Sequence, residues 1–156
     1  MATGNRQQAT GLLRAVARDL VGKVNKCEVL CGVNMVRDFK ELDIWNKSFE
    51  LVGEVYGVVS DFPREEIYGL SQQLKRAAVS VSSNITEGCG RRTSKDFVGF
   101  LYMAFGSVRE VECQLMIAKK LGYINDMELK RLMVELNKLA GMLMKFIRHV
   151  STLGNI

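Results

Sequence analysis

The sequence predicts an all-α protein, an antiparallel up-down-up-down four-helix bundle with room for an extra N-terminal helix. Three observations carry this. Apolar residues recur at three- and four-residue steps in four successive segments, and no segment alternates as a strand would. There is one proline in 156 residues, which suits long helices and few turns. The connections between the periodic segments are only about three to nine residues, and short connections force neighbouring helices to run antiparallel.

The first 34 residues differ from the rest. Leu12, Leu13, Val16, Leu20, Val21 and Val24 fall near helical spacing, with Arg14, Arg18, Lys23 and Lys26 between them. This predicts a short basic amphipathic helix or a loosely attached leader, and glycines at 4, 11, 22 and 32 weaken the helix. The bundle is expected over residues 35–150, with a tail at 151–156.

The first bundle helix is expected over 39–62. Phe39, Leu42, Trp45, Phe49, Val52, Val55, Tyr56 and Val59 would form its buried face, and Pro63 would end it. Ser71 reads as the N-cap of a second helix reaching about Glu87. Its apolar face is Leu74, Ala77, Ala78, Val81 and Ile85, and Gly88 and Gly90 read as its stop. Thr93 and Asp96 have the spacing of a capping box with Asp in place of Glu. The helix they open runs to about Leu121, where Gly122 closes it. Tyr102, Met103, Met116 and Ile117 widen its apolar stripe beyond one face, the pattern of a central helix or one covered by another subunit. Asn125 and Glu128 cap the fourth helix, which carries Leu129, Leu132, Met133, Leu136, Leu139, Ala140, Leu143, Met144 and Ile147 and ends near His149.

Composition excludes several functions. No apolar run reaches the roughly 18 residues that span a bilayer, and no signal peptide is visible, so a soluble cytoplasmic protein is expected. Cys27, Cys31, Cys89 and Cys113 lack metal-ligand or disulfide spacing and read as free thiols. With His149 as the single histidine, His-cluster metal sites are excluded. No cofactor is expected. The run 88–93 lacks the ending of a phosphate-binding P-loop and follows a helix where that motif follows a strand. Cys89, between glycines and beside Arg91 and Arg92, is the one candidate nucleophile, and it has no evident base.

The basic residues are more informative. Lys75, Arg76, Arg91, Arg92 and Lys95 face Glu87 alone between positions 75 and 95, a local +4. Arg91, Arg92 and Lys95 fall at a loop and a helix N-terminus, whose free N–H groups favour anions. This is a phosphate-binding corner or, alternatively, a solvated loop whose charges serve solubility. No aromatic platform lies beside the patch, so binding should follow shape and charge. Asn84 and Glu87 sit among buried positions and call for polar partners such as Arg76, Ser107 or Glu110.

Three stretches carry a resemblance. They are 39–45 (Phe-Lys-Glu-Leu-Asp-Ile-Trp), 62–92 and 100–123. Within them lie 76–88 (Arg-Ala-Ala-Val-Ser-Val-Ser-Ser-Asn-Ile-Thr-Glu-Gly) and 100–112 (Phe-Leu-Tyr-Met-Ala-Phe-Gly-Ser-Val-Arg-Glu-Val-Glu). Over about 39–148 the chain resembles the bacterial four-helix-bundle proteins encoded in 23S rRNA intervening sequences. Thr86, Cys89 and Lys75 are mild departures from that pattern. The family is similar to the accessory variability determinant of diversity-generating retroelements. The resemblance implies a ring-forming bundle, typically a homopentamer, and the scarcity of enzyme motifs in the sequence points to a protein that is not an enzyme. It implies RNA or DNA backbone as the ligand, and alternatively an accessory scaffold that binds a reverse transcriptase.

Overall fold

In the computed structural model, residues 38–153 are described, all within the compact unit Val36–Ile156. The expected leader, with Cys27 and Cys31, lies outside them. Four helices are present: α1 (Asp43–Val59), α2 (Leu70–Cys89), α3 (Ser94–Lys120) and α4 (Asp126–Leu153). Two 3-10 turns, Phe39–Glu41 and Arg64–Tyr68, precede α1 and α2. No strand occurs among the described residues, so the all-α expectation holds.

Each helix packs on its chain neighbours, and α1 and α4 close the ring. Side-chain contacts fit an up-down-up-down course. Gly88 near the end of α2 faces Phe97 and Phe100 at the start of α3, while Ser80 reaches Ser107 further along. Phe97 meets Phe146 near the end of α4, and Lys119 meets Asp126 at its start. Arg131 Nη1 lies 3.0 Å from Glu54, and Lys47 Nζ lies 2.6 Å from Glu135.

The local signals explain most boundaries. Thr93 Oγ1 accepts the Asp96 N–H at 3.0 Å and donates to the Asp96 carboxylate at 2.6 Å, so the anticipated cap of α3 is present. Asn125 Oδ1 accepts the Glu128 N–H at 2.9 Å and caps α4. Gly122 takes φ +80°, with Gly122 N–H bonded to Lys119 O and Tyr123 N–H to Ala118 O. That is a Schellman closure, which needs a left-handed residue.

Other boundaries differ from expectation. Ser71 is not a cap: it is buried inside α2, whose first N–H, at Leu70, donates to Glu66 Oε2 at 2.8 Å. Glu66 also accepts the Tyr123 hydroxyl at 3.0 Å, so one carboxylate ties the α1–α2 connection to the α3–α4 connection. Its negative charge raises the Tyr123 pKa, the hydrogen bond being the largest cause. α1 ends at Val59, three residues short of Phe62, which turns inward and packs on Tyr123 at 5.4 Å. α4 runs past His149 to Leu153.

The core is largely the expected one in α2, α3 and α4, with Phe146 and Val150 added. The face of α1 is rotated. Its buried stripe is Ile44, Ser48, Leu51, Val55 and Val59, while Phe49 and Tyr56 are exposed and Trp45 is half-buried. Aromatic residues at helical spacing marked a stripe next to the core face instead of the core face itself.

Gly88 is a packing residue rather than only a stop. A β-carbon there would lie 2.7 Å from Phe97 Cδ2 and 2.9 Å from Phe100 Cβ. Gly88→Ala is therefore expected to destabilise the fold by about 1–3 kcal/mol through overpacking, measured by urea unfolding. Gly99→Ala, with open space around its β-carbon, serves as the control.

A second expectation concerns pH. Hydrogen bonds from Lys138 and Lys47 lower the Glu135 pKa from 4.5 to about 2. A depressed folded pKa contributes stability above the unfolded value and loses it as pH falls through the folded one. Glu135→Gln should flatten the loss of stability between about pH 4.5 and 2, read by thermal melts across that range.

Candidate nucleic-acid interface

The five basic residues singled out in the sequence do not form one patch. Arg91, Arg92 and Lys95 are exposed where α2 hands over to α3. Lys75 and Arg76 belong to the second turn of α2. Arg76 lies thirteen residues before the end of α2 at Cys89, a rise of about 20 Å, and Arg91 lies beyond that end. Lys75 is half-buried and holds its ammonium 5.1 Å from the centre of the Tyr56 ring. Arg76 is exposed. Helical rise divides what linear spacing had grouped.

The corner itself is less basic than the local +4 suggested. Arg91 pairs with Glu87 four residues earlier, and its guanidinium lies 4.3 Å from the Phe100 ring centre. Asp96 sits in the first turn of α3, bonded to Thr93, where it already complements the helix dipole. Three cations thus face two carboxylates, Glu87 and Asp96, a net +1. Arg92 and Lys95 are the two cations here with no ion pair among the described residues. The Thr93–Asp96 spacing was legible as a cap, but its charge belonged in the same count.

The anticipated polar network is built differently. Asn84 Nδ2 donates to Ser80 O at 2.8 Å and to Ser80 Oγ at 3.0 Å. The Ser80 and Ser107 hydroxyls are 2.9 Å apart, and Ser107 also donates to Met103 O at 3.1 Å. This chain joins α2 to α3 through Ser80, which the sequence reading had not singled out. Glu87 is spent on Arg91 instead. Glu110 accepts from the buried Gln114 at 3.0 Å, and the Gln114 Oε1 atom has no hydrogen-bond partner among the described residues. The network therefore holds Asn84 and Ser107 together and leaves Glu87 and Glu110 outside it. Ser80 lies four residues before Asn84, one turn away on the same face, which is the signal that would have found it.

Two further features bear on function. Cys89 is only 7% exposed, so burial removes the candidate nucleophile from solvent. Cys113 is the exposed thiol among the described residues. At the N-terminal end of α1, Trp45 stacks on the exposed Phe49, and Phe39 meets Trp45 edge-on at 62°. The Trp45 and Phe49 ring centres are 5.2 Å apart and within 15° of parallel, and those of Phe39 and Trp45 are 4.9 Å apart. Among the described residues no helix is long and apolar enough to cross a membrane, and no cluster of three metal-binding side chains occurs.

Comparison with known proteins identifies the family. The profile of the 23S rRNA-intervening sequence proteins matches residues 40–145. No curated protein matches the chain. A solved structure from Bacteroides thetaiotaomicron, a protein with unknown function from the S23 ribosomal protein family, is similar with a TM-score of 0.60. It is 20% identical, and the match covers 67% of this chain and 97% of that one. At that identity the likeness speaks for the fold.

The Asn84–Ser80–Ser107 chain reads as structural glue between α2 and α3. Ser107→Ala and Asn84→Ala are each expected to cost about 1–2 kcal/mol, because polar groups are left unpaired. In a double-mutant cycle read by urea unfolding, their effects should be non-additive, since both act through Ser80.

Proposed function

This chain belongs to the 23S rRNA-intervening sequence protein family, and on that premise we propose that it is a non-enzymatic, homo-oligomeric bundle that holds nucleic acid, RNA first, by its phosphates. The observation that carries the reading is the pair Arg92 and Lys95. Both are exposed beside the N-terminus of α3, and neither is neutralised by an ion pair among the described residues. Arg91 contributes less, because Glu87 shares its charge. Arg76, far along α2, supplies a separate contact.

One copy of a net +1 corner binds phosphate weakly. Assembly into a ring, with five members as the expected number, repeats the corner and makes later contacts intramolecular. Support for assembly comes from apolar side chains left at the surface. Tyr102, Met103, Met116 and Ile117 are each roughly half exposed on the outer side of α3. Patches of this kind mark association sites on soluble proteins. In the alternative reading the same α3 surface takes a partner protein, a reverse transcriptase, and nucleic acid is reached through that partner.

A filter-binding salt titration tests the reading. Log affinity for RNA should fall linearly with log salt concentration, and Arg92→Ala and Lys95→Ala should each reduce the slope by about one. Affinity indifferent to salt and to both substitutions would reject phosphate binding. On the same samples, light scattering should report an oligomer that Tyr102→Glu with Met116→Glu converts to single chains. A native protein that scatters as a single chain would remove the oligomeric part of the reading.

A further inference from the structure

We propose that copies of this chain join head to tail, the outer face of α1 on one copy packing against the outer face of α3 on the next. The inference rests on the reading that the protein assembles from several copies, and it adds which two surfaces meet. Within one chain α1 and α3 each pack on α2 and α4, and they lie diagonally across the bundle from one another. Their outer faces therefore look away from each other. The outer face of α2 is polar but for Val79, and that of α4 is mostly polar, with Met127 and Val134 as its large apolar residues. The diagonal pair differs. α1 exposes Phe49, Gly53, Tyr56 and Gly57 along one stripe, and α3 exposes Gly99, Tyr102, Met103, Gly106, Met116 and Ile117 along another. Two unlike faces on different sides of one chain make a head-to-tail contact, whereas one self-matching face makes a two-fold pair.

Charge selects a second copy as the occupant, and selects α1 on α3. The exposed charged residues of α1 are Asp43 and Glu50, both acidic. Those of α3 are Lys95, Arg109 and Lys120 against Asp96 and Glu110. Counting each helix whole gives the same answer: three acids against one base on α1, and four bases against three acids on α3. Like faces would set like charge against like charge, and unlike faces do not. Shape agrees. Phe49 and Tyr56 stand seven residues apart, two helical turns, and so do Gly99, Gly106 and the exposed Cys113. Large side chains on one helix thus fall opposite small ones on the other, as closely packed helices require. Gly53 in turn leaves a gap between Phe49 and Tyr56 wide enough for a ring such as that of Tyr102. A β-carbon at Gly53, Gly57, Gly99 or Gly106 would meet nothing within 4 Å, so packing inside the chain does not call for glycine at these places. Glycine inside a helix costs stability relative to alanine, and a helix approaching from outside gives that cost a use.

Light scattering on the full chain tests the contact. One variant carries Phe49→Glu with Tyr56→Glu and spoils the α1 face; another carries Tyr102→Glu with Met116→Glu and spoils the α3 face. Each alone should scatter as a single chain. Mixed in equal amounts, at a concentration where the native protein is assembled, they should form a two-chain species. One intact α1 face then meets one intact α3 face, and the two acidic faces repel. Gly53→Leu and Gly106→Leu are second probes, one for each face. Their side chains enter open space in the single chain, so circular dichroism should show an intact fold, while the concentration needed for assembly should rise about tenfold. An α1 variant that assembles like the native chain, a mixture that stays single, or glycine variants that assemble normally would each overturn the head-to-tail contact and leave assembly standing. A native protein that scatters as a single chain overturns assembly and this contact together.

Discussion

The approach of α2 to α3 at Gly88 sets much of what surrounds it. With no side chain at 88, Phe97 and Phe100 lie against the α2 backbone, and the two helices form the most extensive pair in the bundle. That closeness allows the Ser80 and Ser107 hydroxyls to meet at 2.9 Å and draws Asn84 into the same chain of hydrogen bonds. It also turns Phe100 toward the end of α2, where it carries the Arg91 guanidinium. Polar groups at a helix interface are costly unless paired, so close packing and the hydroxyl chain are mutually dependent. Phe97 extends the same contact to Phe146 of α4, so two sides of the bundle meet at this point.

Charge on this protein has to be read by location. The formal +5 divides into +3 for residues 1–34, with five Lys and Arg against two Asp and Glu, and +2 for the remaining 122 residues. Within the bundle some charges are engaged along helix surfaces. Lys47 and Arg131 bridge α1 to α4, and Glu135 takes both Lys47 and Lys138. Pairs like these are individually weak in water and screened by salt. Six of the sixteen Lys and Arg among the described residues are paired in this way. Arg92 and Lys95 are set apart from the other unpaired cations by their place beside the N-terminus of α3, whose dipole favours anions.

Apolar surface is distributed just as unevenly. The outer side of α3 and the Trp45–Phe49 ring pair on α1 are separate surfaces on different helices. A head-to-tail ring needs two different complementary patches, whereas a two-fold dimer needs one patch that matches itself. The outer side of α3 suits contact between chains. The α1 surface differs in holding one near-parallel ring pair, Trp45 on Phe49, with Phe39 edge-on to Trp45.

By itself the sequence determined the helices, because helix formation is governed by local spacing and capping. Apolar periodicity located all four, and Thr93, Asn125 and Gly122 gave their ends directly. The buried faces of α2, α3 and α4 were legible for the same reason. What tertiary structure decided was whatever depends on distance across the bundle. The rotation of α1 was hidden, because Trp45, Phe49 and Tyr56 have the same spacing whether they face inward or outward. Glu66 replaced Ser71 as the partner of the first α2 N–H because a 3-10 turn folds its carboxylate back onto the helix start. The basic run split because about 20 Å of helix separates residues that are close in number.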